Sequence, residues 1–121
     1  MNRRIVLISA LAPAATAYAH GPEKGRNGGR QVEAGDHHVE LVAKDKTLAV
    51  YITDENEKPI DAKGFKATGI FVVGGKAQRI ELTPEAANKL SGASGVPLPA
   101  DLKGAVQVTL PRGGTVQAKF E

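Results

Sequence analysis

Apolar and polar residues alternate with a period of two along much of this chain, a spacing that selects extended strands over helices. Val39, Leu41 and Ala43 share one face of segment 37–43. Leu48, Val50 and Ile52 share one face of segment 47–53, with Asp45-Lys46 between the two segments as a hairpin turn. Segments 67–73 and 76–82 flank Gly74-Gly75, a pair that supplies the positive φ of a tight hairpin. Segments 104–110 and 115–120 flank Pro111-Arg112-Gly113-Gly114 as a third hairpin. The charged run from Asp54 to Pro59 reads as a solvated turn. Thr83-Pro84-Glu85 fits either a single helical turn or an irregular strand, because Asn88 to Gly92 ends any helix within two turns. Arg30 to Glu33 suits a short edge strand.

About seven short strands at such spacing predict an all-β fold. The expected form is a small antiparallel, immunoglobulin-like β-sandwich, with a small open barrel as the alternative. At 121 residues the chain holds one domain at most. Its lack of cysteine rules out disulfide scaffolds, cysteine zinc fingers and iron–sulfur sites.

Residues 1–19 read as an export signal. Met1-Asn2-Arg3-Arg4 is a basic start, and Ile5 to Ala12 is an apolar run too short to span a bilayer. Ala17-Tyr18-Ala19 fits the small-x-small cleavage rule. The chain is therefore expected in the periplasm as residues 20–121, not membrane-spanning once processed, with 20–36 as a glycine-rich lead-in and 37–121 as the β domain. Loss of the two leader arginines lowers the formal net charge from +3 to +1. Near-neutral charge, interspersed signs and scattered aromatics speak against nucleic acid as a partner.

No catalytic set emerges, and the chain is not expected to be an enzyme. Ser91 and Ser94 lie in a glycine-rich stretch without a nucleophile elbow. Gly25-Arg26-Asn27-Gly28-Gly29-Arg30 resembles a phosphate loop only superficially, lacking the Lys-Ser/Thr ending. Asp54, Glu55 and Glu57 could gather a hard cation, but a charged turn explains them more simply.

The three histidines carry the sharper signal. Cleavage after Ala19 makes His20 the first residue, so that an α-amine and an imidazole form a two-nitrogen chelate suited to copper(II). His37 or His38 would supply a further nitrogen, the glycine-rich segment between them allowing the chain to fold back. Strand geometry puts His38 with Glu40 on one face and His37 with Val39 and Leu41 on the other, so one of the pair should face a given ion. Asp36 is a candidate oxygen ligand or tautomer-fixing partner. The plainer alternative is that a terminal His20 is an accident of where the signal ends and that the His37-His38 pair is exposed polar surface.

The runs His20-Gly21-Pro22, Asn27-Gly28-Gly29-Arg30, Ala34 to Val42, Val50 to Asp54 and Lys58-Pro59 resemble a group of small exported proteobacterial proteins of unassigned role. More loosely, they resemble the amino-terminal part of periplasmic adaptor subunits from heavy-metal efflux pumps. The likeness covers about a third to a half of the chain. In general plan the chain is also similar to periplasmic copper-resistance carriers, whose terminal histidine binds copper(II). Those carriers use a later histidine too, and here none follows His38. The resemblance implies transition-metal handling with an efflux or other membrane-bound partner. The alternative is a metal-free periplasmic interaction module that docks such a partner.

Overall fold

The computed structural model describes residues 23–121. Nine strands carry the chain: β1 (Glu23–Lys24), β2 (Arg30–Ala34), β3 (His37–Lys44), β4 (Thr47–Thr53), β5 (Lys66–Val73), β6 (Lys76–Ala86), β7 (Lys89–Ala93), β8 (Lys103–Thr109) and β9 (Thr115–Phe120). All pairs are antiparallel, in the order β1-β2-β3-β4-β7-β6-β5-β8-β9. No helix occurs among the described residues.

The all-β antiparallel expectation holds. In place of about seven strands in two separate sheets, nine strands form one hydrogen-bonded series curled into a half-barrel. The physical reason lies in β6. Its first part pairs with β5 from Lys76 to Leu82, and its last part pairs with β7 from Thr83 to Ala86. A register shift between Pro84 and Ala86 bends the strand, and proline is tolerated there because a bulge interrupts the ladder. The region left open between a helical turn and an irregular strand is thus irregular strand. It joins two half-sheets around one core.

The three hairpins expected from the alternation are present. Gly74 and Gly75, with φ of 60° and 81°, close the β5–β6 turn in the left-handed region that glycine occupies without strain. Val39, Leu41, Leu48, Val50 and Ile52 point into the core from β3 and β4, and Ile80, Leu82, Leu90, Val106, Val108, Phe71 and Phe120 meet them from the other strands. Complete burial of each such side chain contributes about 1.5–3 kcal/mol relative to exposure.

The curl brings β2 and β9 together. The Arg30 guanidinium lies 5.5 Å from the centre of the Phe120 ring and donates to the Leu102 carbonyl. Gly35 faces Val116, leaving no room for a Cβ. The sheet also begins upstream of His37, inside the segment expected as a lead-in.

The loop joining β1 to β2 is fastened by one carboxylate. Glu40 is 3% exposed and lies on the outer face of β3, opposite Gln31 and Tyr51. Its Oε2 accepts from the backbone N–H of Asn27 (2.9 Å) and of Gly29 (2.8 Å), and its Oε1 accepts from Asn27 Nδ2 (3.0 Å). Gly25 lies flat against this carboxylate, where any side chain would collide with it. The Gly25–Gly29 segment is thus an ordered cover over Glu40.

Candidate metal centre

The β2–β3 hairpin sets the directions of the paired histidines. Ala34 pairs with His37 and Glu33 with His38, so successive side chains alternate between the core and the outer face. His37 falls on the core side. Its ring meets Phe65 edge-on, 6.1 Å between centroids at 80°, and its buried Nδ1 has no hydrogen-bond partner among the described residues.

His38 falls on the outer side, pairing with Thr53 on β4. Its Nδ1 lies 3.1 Å from the Asp54 carbonyl oxygen. A carbonyl can only accept, so this contact assigns the proton to Nδ1 and leaves the Nε2 lone pair free in the neutral ring. Nε2 sits 3.7 Å from Glu33 Oε2. The His38 side chain is 15% exposed while Glu33 is 80% exposed, so the nitrogen is held and the carboxylate is free to move. An imidazole nitrogen oriented by a backbone carbonyl, with a carboxylate nearby, offers two donor types of the kind a borderline-soft cation accepts.

The loop behind His38 is braced by Asp54. Its Oδ1 accepts from the backbone N–H of Asn56 at 2.8 Å and of Lys58 at 2.9 Å. The Lys58 bond is the main cause holding the Asp54 carboxyl below its usual range. Desolvation, the next largest effect, opposes it, and the Asn56 bond and the charges of Lys58 and His37 add to the lowering.

Of the four residues proposed from sequence, the three that lie among the described residues separate. His38 is brought to Glu33, His37 lies on the opposite face of the strand, and Asp36 is exposed in the hairpin turn. His20 lies outside the described residues, as does the export signal. Among the described residues, no group of three or more histidine, cysteine, aspartate or glutamate side chains converges. Glu33 was missed in the sequence. Alternation gives its face, but only the register Glu33↔His38 makes it a neighbour of the histidine. No family model, curated protein or solved structure matches the chain.

Proposed function

We propose that this chain is an exported protein that binds a transition-metal ion, copper(II) foremost, and serves in metal handling rather than catalysis. The observation that carries the reading is the Nδ1 contact from His38 to the Asp54 carbonyl, which leaves Nε2 as a ready ligand beside Glu33. His20 would bring its imidazole and, if processing occurs after Ala19, its α-amine. Three peptide units join it to Glu23, a tether of at most about 11 Å. Glu23 pairs with Gln31, two residues from Glu33 on the same strand, so the tether can span the separation. His37 and Asp36 play no part in this version of the site. The fold buries its own core, so folding does not require the ion. A metal-efflux or other membrane-bound periplasmic partner would deliver or accept the cargo.

Calorimetric titration of protein beginning at His20 with copper(II) tests this. The expected result is binding tighter than micromolar, weakened at least about tenfold by His38→Ala and left unchanged by His37→Ala. Absence of binding tighter than micromolar removes the proposal. An extra residue before His20 tests the amine alone, and unaltered affinity would rule out its role.

A second reading, a metal-free interaction module, is favoured by Ile70 and Val72. They are 43% and 58% exposed on the outer face of β5, Ile70 between Ala105 and Arg79 and Val72 between Ala77 and Lys103. Ile70→Lys with Val72→Lys would abolish partner cross-linking in the periplasm under that reading and spare copper binding.

A further inference from the structure

The Gly25–Gly29 cover contains the dipeptide Asn27-Gly28, and both residues are exposed. A glycine after asparagine lacks the side chain that elsewhere shields the backbone nitrogen from the neighbouring side-chain amide, and its backbone reaches conformations closed to other residues. Gly28 has a φ of 82°, with open space where a Cβ would stand. The other asparagines among the described residues, Asn56 and Asn88, precede Glu57 and Lys89, whose side chains crowd that approach.

The chemistry open to such a pair is deamidation. The Gly28 backbone nitrogen attacks Cγ of Asn27, an N–Cγ bond forms and the Cγ–Nδ2 bond breaks, and ammonia leaves with the proton of the attacking nitrogen. Water then opens the cyclic imide. Addition at Cγ gives aspartate. Addition at the Asn27 main-chain carbonyl carbon gives isoaspartate, in which the chain runs through the former side chain and is longer by a methylene.

The fold restrains this reaction. The Gly28 N–H donates to the Gly25 carbonyl at 3.1 Å, and Asn27 Nδ2 donates to Glu40 Oε1 at 3.0 Å, so nucleophile and leaving group are each held by a partner that must let go first. The Asn27 backbone N–H is tied to Oε2 of the same carboxylate at 2.9 Å. Glu40 thus governs when Asn27 reacts, and the product acts back on Glu40. An amide donor becomes a carboxylate, set against a carboxylate that is 3% exposed. Like charges at hydrogen-bond distance repel, the more so where little water screens them. The longer isoaspartate backbone also draws the Asn27 and Gly29 N–H groups off Oε2.

We propose that Asn27 is a deamidation site, with water as co-reactant, whose conversion releases the Gly25–Gly29 cover from Glu40. This does not rest on the metal reading. Incubation of the protein at mildly alkaline pH, folded and in urea, followed by peptide mapping with mass spectrometry, tests the chemistry. In the unfolded chain Asn27 should convert ahead of Asn56 and Asn88. Conversion should be at least about tenfold slower in the folded protein, and at least about threefold faster in folded Glu40→Gln than in the folded parent. Release is read from amide exchange at Gly29, relative to its unfolded-chain rate, in variants whose circular dichroism matches the parent. Asn27→Asp should exchange there at least about fivefold faster than Asn27→Ala, which loses the Nδ2 bond but adds no charge. Equal conversion rates in folded and unfolded chains, an unchanged rate in folded Glu40→Gln, earlier conversion at Asn56 or Asn88, or equal exchange in Asn27→Asp and Asn27→Ala would each overturn the proposal.

Discussion

Replacing Glu40 isolates what one buried carboxylate contributes to this fold. In Glu40→Gln the shape is preserved, and the amide oxygen can still accept from the Asn27 and Gly29 N–H groups that now meet Oε2. Those two bonds lose their charge assistance. A hydrogen bond to a charged group is worth about 1.5–3 kcal/mol net and a neutral one about 0.5–1.5, so the pair weakens by about 2 kcal/mol. The Gln amide is cheaper to bury than a carboxylate, and an Asn27 side-chain flip can restore the third bond, so the expected net cost is about 1–2 kcal/mol. Glu40→Ala instead strands both backbone N–H groups under the cover, at about 1–3 kcal/mol each, and should cost about 3–5 kcal/mol in total. Urea unfolding followed by far-ultraviolet circular dichroism gives the global values. Amide exchange at Asn27 and Gly29 gives the local one, and protection should fall at these residues before it falls in β3. A cost below about 1 kcal/mol for Glu40→Ala, with exchange at both amides unchanged, would refute the claim that this carboxylate fastens the loop.

Other substitutions probe separate parts of the structure. Asp54 has a lowered carboxyl pKa in the folded state, so its contribution is fully present above the ordinary aspartate value of about 3.9 and is lost as pH falls through the lower folded value. Asp54→Asn should therefore flatten the decline in urea midpoint between pH 4 and pH 2, and an unchanged acid slope would contradict the assignment. Gly92 backs onto the Glu81 carbonyl and Ile80 where β6 passes between the half-sheets, and a methyl there forces the strands apart. Gly92→Ala should cost about 1–3 kcal/mol, a fall in Tm of several degrees by calorimetry; an unchanged Tm would mean the crossing has slack. Arg30→Ala removes the contact to Phe120 and the bond to the Leu102 carbonyl, and should cost about 1–2 kcal/mol in urea unfolding. A loss below about 0.5 kcal/mol would show that the curl closes without it.

Much of the local structure is legible in the residues themselves. The turn at Gly74-Gly75, the meander through Asp45-Lys46 and the opposed faces of His37 and His38 follow from alternation and turn chemistry, which operate over a few residues. Glu33 as neighbour to His38 was less visible, and so was the part played by Glu40. Each depends on which residue of one strand stands opposite which residue of the next, and a glycine-rich loop gives no sign of the carboxylate it covers. The bend in β6 was hidden for a related reason. Residues 76–82 and 83–86 choose different partners, and that choice rests on packing against β5 and β7 rather than on their own spacing.

The sequence by itself determined the period, hence strands, their inner faces and the turns between them, because backbone geometry and side-chain burial act locally along the chain. Only the tertiary structure decided that the sheet curls until Arg30 meets Phe120, and that the His38 imidazole and the buried Thr53 hydroxyl stand side by side across β3 and β4. Such juxtapositions arise from strand order and register, where contacts distant in sequence compete and the best-packed arrangement wins.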